Sequence, residues 1–162
     1  MPSFRHEPVL VRGAQAETIA HATGAAHLLT DASSTAGALS CHRVALAEGA
    51  DGAMPHYHAN SSELFYVLDG TLQMLHGDTV IEAGRGDLVV VPPGMPHAFA
   101  AARGSELEML ITITPGVERF DYFRLLGRVV TGQASYDELR AAEDRFDSHS
   151  VESPVWQKAR TA

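Results

Sequence analysis

A single cysteine, Cys41, stands in a chain of 162 residues, so no internal disulfide can form and no cysteine-rich zinc site can be built. One thiol in a chain of this size fits a reducing compartment. No apolar run approaches the roughly 18 residues needed to cross a bilayer. The opening MPSFRHEPVLVRG lacks an apolar stretch of signal-peptide length, so the expected location is cytoplasmic. Basic residues are also scarce: 12 Lys and Arg stand against 20 Asp and Glu, giving a formal net charge of −8 and a pI near 5.5. They are scattered rather than gathered. Nucleic acid and anionic membranes both require a basic face, so neither is an expected partner. Internal repeats and low-complexity tracts are absent too. What remains, at 45% hydrophobic residues, is an ordinary globular composition long enough for one domain with one core.

The chain changes character near residue 115. Before it, short runs rich in Val, Leu, Ile, Phe and Tyr are broken by Gly, Pro and Asp: Pro8–Arg12, Leu39–Leu46, Leu64–Leu68, Thr71–His76, Asp87–Val91 and Glu108–Thr114. Such runs predict antiparallel strands of a sandwich or barrel. Asp69-Gly70 and Gly77-Asp78 supply turn chemistry between them. Beyond it the spacing predicts helices. Thr114 can cap a first one, with Pro115 at its first position and Val117, Phe120, Phe123 (or Tyr122), Leu126 and Val130 on one face. Ser135 and Glu138 form a capping box for a second, with Tyr136, Leu139, Ala142 and Phe146 on its apolar side. These aromatic stripes read as packing against the barrel; a lid over its mouth is the other reading. Residues 147–162 read as a poorly ordered or partner-docked tail, although Trp156 suggests an anchor.

Of nine histidines, three fall into a pattern with a mechanism. In a strand, side chains two apart share a face, so His56 and His58 point the same way and Tyr57 points outward. Two imidazoles on one face make a bidentate metal claw. Glu63 follows a polar turn and opens the next strand, which brings its carboxylate back beside them. Phe65 and Val67 share its parity. A carboxylate on an apolar interior face requires a partner, and a metal cation is an effective one. His97 follows the Pro92-Pro93-Gly94-Met95-Pro96 turn and shares its face with Phe99. Taken singly, each has an ordinary reading as a solvated or paired side chain.

Together they resemble the two motifs of the cupin superfamily. The first motif, G-x5-H-x-H-x3,4-E-x6-G, is met by His56, His58, Glu63 and Gly70, with Ala50 where the leading glycine stands and Gly49 one residue early. The second, G-x5-P-x-G-x2-H-x3-N, is met by Gly86, Pro92, Gly94 and His97, with Ala101 in place of the asparagine. The resemblance implies an all-β fold, a double-stranded β-helix (jelly-roll) cupin barrel over residues 1–115 with motifs at 49–70 and 86–101. A C-terminal helical extension and tail follow over 116–162. It further implies a homodimer and a single divalent transition metal held by His56, His58, Glu63 and His97. The site resembles that of quercetinase-like, flavonol-cleaving monocupins, as does the PGVERF segment at 115–120.

Three imidazoles and one carboxylate leave one or two coordination positions open for water, O2 or a chelating substrate. About one net positive charge remains, which favours enolate, catecholate or carboxylate ligands. Imidazole and carboxylate suit Fe, Mn, Ni, Cu or Zn alike. Phe65, Val67, Leu72, Met74 and Phe99 would give a mostly apolar interior, as core or as pocket. His42 could approach the metal from a neighbouring strand, whereas His76 is expected to be exposed. The expected function is a dioxygenase-type oxidoreductase acting on a small enolic or aromatic compound, with Glu63 as catalytic base as well as ligand. An O2-independent isomerase, cyclase or lyase, and a non-catalytic metal or small-molecule binder, are the alternatives.

Overall fold

The structure is a computed structural model that describes residues 7–162; residues 1–6 of the opening stretch lie outside the described residues. Its strands are β1 (Glu17–His21), β2 (Gly24–Thr30), β3 (Ser40–Leu46), β4 (His56–Tyr57), β5 (Ser62–His76), β6 (Thr79–Gly84), β7 (Leu88–Val91), β8 (His97–Ala101), β9 (Leu107–Thr114) and β10 (His149–Ser150). The helices are α1 (Phe120–Val130), α2 (Tyr136–Ala141), α3 (Glu143–Phe146) and α4 (Pro154–Thr161). All strand pairs are antiparallel, and the main path runs β1-β2-β3-β9-β5-β8-β4-β10, with β6 and β7 also on β5. This is the expected all-β jelly roll with C-terminal helices.

Strand β5 organises it. Its first half pairs with β7 and β9, its second with β6 and β8. The runs expected as two strands, Leu64–Leu68 and Thr71–His76, are therefore one strand of 15 residues. Asp69-Gly70 makes no hairpin turn; the β9 pairing shifts register between Val67 and Asp69, and the strand bends there. Gly70 has φ +76, and a Cβ on it would lie 1.8 Å from the Glu106 carbonyl oxygen. Only glycine fits. Gly77 makes the hairpin turn that was expected, into open space.

Period-two burial places the core. Phe65, Val67, Leu72, Met74, Met109, Ile111 and Phe99 interdigitate between the halves. Each large side chain contributes on the order of 1.5–3 kcal/mol by burial.

Other expectations need correction. Pro8–Arg12 is exposed and forms no strand, and its proline has no N–H to donate to a ladder. Strands β1 and β2 were not anticipated, because GAAHLLT is small-residue-rich and alternates weakly. Helix α1 begins at Phe120 rather than beside Pro115. Thr114 is still in β9, its hydroxyl donating to Ala38 O at 2.9 Å. The helix start is fixed from afar: the buried Asp31 carboxylate accepts from Arg119 N at 2.6 Å and Phe120 N at 3.1 Å. The Ser135–Glu138 capping box forms as expected.

The tail is neither loose nor free. Ser153 caps α4 with Pro154 in its first turn, and Trp156 is buried against Leu75, Ala98 and Ala100. Arg160 bonds Asp51, Gln73 and the Gly49 carbonyl, each at 2.7 Å. No helix among the described residues is long and apolar enough to cross a membrane.

Gly70→Ala is expected to lower unfolding stability by about 2 kcal/mol or more, from left-handed strain plus a backbone clash. Gly77→Ala, strained at φ +66 but unobstructed, should cost only about 1 kcal/mol. Urea melts of the two variants check the difference; equal losses would contradict the role of the Glu106 contact.

Candidate metal centre

The four expected residues converge. His56 lies opposite His97 in the β4–β8 pair, and His58 follows directly. Glu63 enters from β5, where it pairs with Val91 and Ile113. The Pro92-Pro93-Gly94 turn is tied down by Gly94 N donating to His58 O at 2.7 Å. One ligand atom from each side chain lies within 4.8 Å of all the others. His58, Glu63 and His97 are 2%, 3% and 1% exposed, while His56 is half-buried. The two positions that depart from the motifs support one another: Ala101 N donates to Ala50 O at 2.9 Å.

Hydrogen bonding fixes which nitrogens face inward. His56 Nδ1 is 2.7 Å from Met54 O, His97 Nδ1 is 2.9 Å from Met95 O, and His58 Nδ1 is 2.5 Å from Asp147 O. A carbonyl only accepts, so each Nδ1 carries the proton and donates it. Each Nε2 of a neutral ring then presents a lone pair. Two of those lone pairs face Glu63 Oε2, at 2.9 Å from His58 and 2.7 Å from His97. Acceptors opposed at such distances in a dry site require a positive charge between them. A proton is one solution. Burial works to lower the His97 pKa, but the hydrogen bond and charge of Glu63 outweigh it and raise it. Burial likewise works to raise Glu63, yet His58 and His97 hold it well below the usual carboxylate range. A metal ion is the other solution, and the donor set suits it: three imidazoles oriented by backbone carbonyls, plus one carboxylate, could hold one.

Residues beyond 115 complete the surroundings. Asp147, in left-handed backbone at φ +47, accepts His58 through its carbonyl. Its carboxylate accepts from Ala59 N at 2.8 Å, Asn60 N at 3.0 Å and His149 Nε2 at 3.1 Å. It therefore fixes both the ring of His58 and the turn toward Glu63. Tyr57 faces outward, as expected, and stacks on His149 with centroids 5.0 Å apart.

A cavity of about 550 Å³ opens onto His56 and Glu63. Phe99 lines it from the barrel; Tyr122, Phe123 and Leu126 from α1, and Phe146 from α3, line the other side. The helical aromatics thus form the lid of the cavity, beyond plain packing on the barrel. Phe65, Val67, Leu72 and Met74 are core rather than cavity wall. His42 does approach the cluster: it is buried, tilted on Phe123 with centroids 4.6 Å apart, and its Nδ1 has no partner among the described residues. Burial, then the charge of Arg119, depresses its pKa to about 3, so it is neutral. His76, expected to be exposed, is half-buried beside His97 in the β5–β8 ladder.

Sequence reasoning missed Asp147 and Arg119. Asp147 carried no local signal, because its partners lie 87–89 residues away. Arg119 sits in the PGVERF segment, which was noted for its likeness and not for its arginine.

Comparison with known proteins agrees with this fold. The family model for the cupin domain matches residues 42–113. No curated protein matches the chain in sequence. Among solved structures, the chain is similar to Pac13 of Streptomyces, described as a unique nucleoside dehydratase, with TM-score 0.56 and 18% identity over 71% of this chain and 88% of that one. It is also similar to a variant of oxalate decarboxylase from Bacillus subtilis, with TM-score 0.57 and 20% identity over 68% of this chain and 31% of that one. KdgF from Halomonas aligns with TM-score 0.50 and 19% identity over 59% of this chain and 82% of that one. At these identities the likeness is one of fold.

Asp147→Ala keeps the backbone carbonyl that orients His58 but removes the carboxylate that holds Ala59 N and Asn60 N. It should therefore weaken metal binding by about tenfold, through loosening of the turn between His58 and Glu63. His58→Ala should abolish stoichiometric binding. Titration of chelator-stripped protein with Mn²⁺ or Zn²⁺ reads both, and wild-type affinity in Asp147→Ala would contradict its positioning role.

Proposed function

Because residues 42–113 carry a cupin domain, we propose that this chain is a metal-dependent oxidoreductase. Its substrate is a small enolic or aromatic compound, cleaved with O2 in a dioxygenase-type reaction. The proposed ligands are His56, His58, Glu63 and His97, and the ion is one divalent transition metal of the Fe, Mn, Ni, Cu or Zn group. The observation that carries this reading is the position of the donor cluster at the wall of the 550 Å³ cavity, facing an aromatic lid. When bound, such an ion supplies a Lewis acid and an open position for substrate or O2.

The chain's own residues do the rest. Phe99, Tyr122, Phe123 and Leu126 exclude water and offer faces on which a flat substrate can stack. His56 and Glu63, which both border the cavity, are the proposed ligands in reach of substrate. Glu63 holds its oxygen at the junction of cluster and cavity, where a carboxylate can take a proton from a bound hydroxyl.

A second reading, an O2-independent isomerase, cyclase or lyase at the same site, is supported by the names attached to the fold: a dehydratase and a decarboxylase are among the similar structures. One scaffold hosts many reactions, so the reaction must be decided at the site. The homodimer is also proposed. Tyr66, Leu68, Leu88 and Val90 are exposed together on the outer face of β5 and β7, where Tyr66 pairs with Leu88, and a second copy could cover them.

Protein reconstituted anaerobically with Fe²⁺, Mn²⁺ or Ni²⁺ is expected to consume O2 in step with loss of an enolic or phenolic substrate. An oxygen electrode and a panel of phenols and diketones measure this. Glu63→Gln should lower kcat by about 10²–10⁴-fold, the range for loss of a general base. Turnover that persists under strict anaerobiosis or with Zn²⁺ would instead select the second reading.

A further inference from the structure

Among the described residues, one buried charge outside the proposed ligand set is left without a counter-ion. Arg119 is 4% exposed and lines the cavity, yet its Nε and Nη1 have no hydrogen-bond partner. No ion pair to it exists among the described residues. Its guanidinium lies 4.0 Å from the Tyr122 ring centroid and 5.3 Å from that of Phe123. Two aromatic faces lessen the cost of burying a cation without replacing a counter-ion.

The acidic groups on the same wall are committed elsewhere. Asp51 pairs with Arg160 at 2.7 Å, the Glu143 carboxylate accepts from Ser150 N at 3.0 Å, and Glu63 faces His58 and His97. Asp31 does not line the cavity, and it takes the backbone N–H of Arg119 rather than its side chain. That bond fixes where residue 119 leaves the chain and so aims its side chain at the cavity. His42, whose buried Nδ1 also has no partner among the described residues, borders the same cavity.

We propose that Arg119, with His42 beside it, is an anion-binding subsite that receives a carboxylate of the substrate. The substrate class is then a small aromatic or enolic acid, its carboxylate on Arg119 and its hydroxylated end toward His56 and Glu63. A guanidinium matches a planar carboxylate, and a charge-assisted bond in a dry cavity is stronger than a neutral one. Tyr122 and Phe123 flank the same position and suit the ring of such an acid. This identification of the substrate rests on the metal-enzyme reading for the orientation of the hydroxylated end, but the anion subsite does not require the metal.

Calorimetric titration with benzoate and with benzamide, its neutral counterpart, tests the subsite on full-length protein, both metal-loaded and chelator-stripped. Wild type should bind benzoate at least about tenfold more tightly than benzamide in both forms, the difference of one charge-assisted bond. Arg119→Met should remove the preference, and Arg119→Lys, which keeps the charge without the planar fork, should retain part of it. Equal binding of the two probes by wild type, no binding of benzoate, or a preference that survives Arg119→Met would each overturn the subsite. A preference confined to metal-loaded protein would place the carboxylate on the metal, overturning the subsite and leaving the enzyme reading intact. An Arg119-dependent preference in protein that binds no metal would do the reverse.

Discussion

Three imidazole rings donate their Nδ1 protons to backbone carbonyls, and this leaves the remaining nitrogens of His58 and His97 turned toward one buried carboxylate. The arrangement sets electron pairs against electron pairs at largely buried atoms. Burial makes every such opposition costly, because the low local dielectric neither screens nor solvates it. Either a proton or a metal ion must sit among them. Three independent carbonyls orienting three rings alike is difficult to account for as packing, and it is what a metal site requires of its surroundings.

Much of the fold serves to hold that cluster. Strand β5 carries Glu63 on its first half and the pairing partners of β8 on its second, so the bend at Gly70 decides how carboxylate and His97 meet. The chain after the barrel returns twice. Asp147 holds His58 and the turn behind it, while Asp31 starts α1 and thereby sets Tyr122 and Phe123 over the cavity. Helix α4, anchored by Trp156, packs on the face formed by Leu75, Ala98 and Ala100, just behind His97. Stability and site geometry are thus coupled: loss of the Trp156 anchor, about 3–5 kcal/mol, would loosen the strand that bears a proposed ligand.

The legible part of this arrangement was local. His56 and His58 share a face because they are two apart, Glu63 and Phe65 follow the same rule one strand later, and His97 follows a proline-glycine turn. Strand period and motif spacing sufficed for all four. Contacts made across the chain left no such trace. Asp31 caps a helix that starts 88 residues away, and Asp147 reaches His58 across 89. Helix α1 was expected at Pro115 because Thr-Pro before an apolar stripe is a sound local start signal; the β9 ladder claimed Thr114 instead. Arg119 was illegible for a related reason. An arginine near a helix start is ordinary in sequence, and only burial without a partner makes it notable.

The central claim is that the His56, His58, Glu63 and His97 cluster holds a metal ion. Its most direct test is elemental analysis of the protein as purified, paired with its melting temperature before and after addition of Mn²⁺, Fe²⁺, Ni²⁺ or Zn²⁺. The prediction is about one equivalent of transition metal per chain, and stabilisation of stripped protein by about 3–4 kcal/mol at metal concentrations of about 100–1,000 times Kd. Less than about a tenth of an equivalent of any transition metal, together with a melting temperature that no added metal raises, would contradict it.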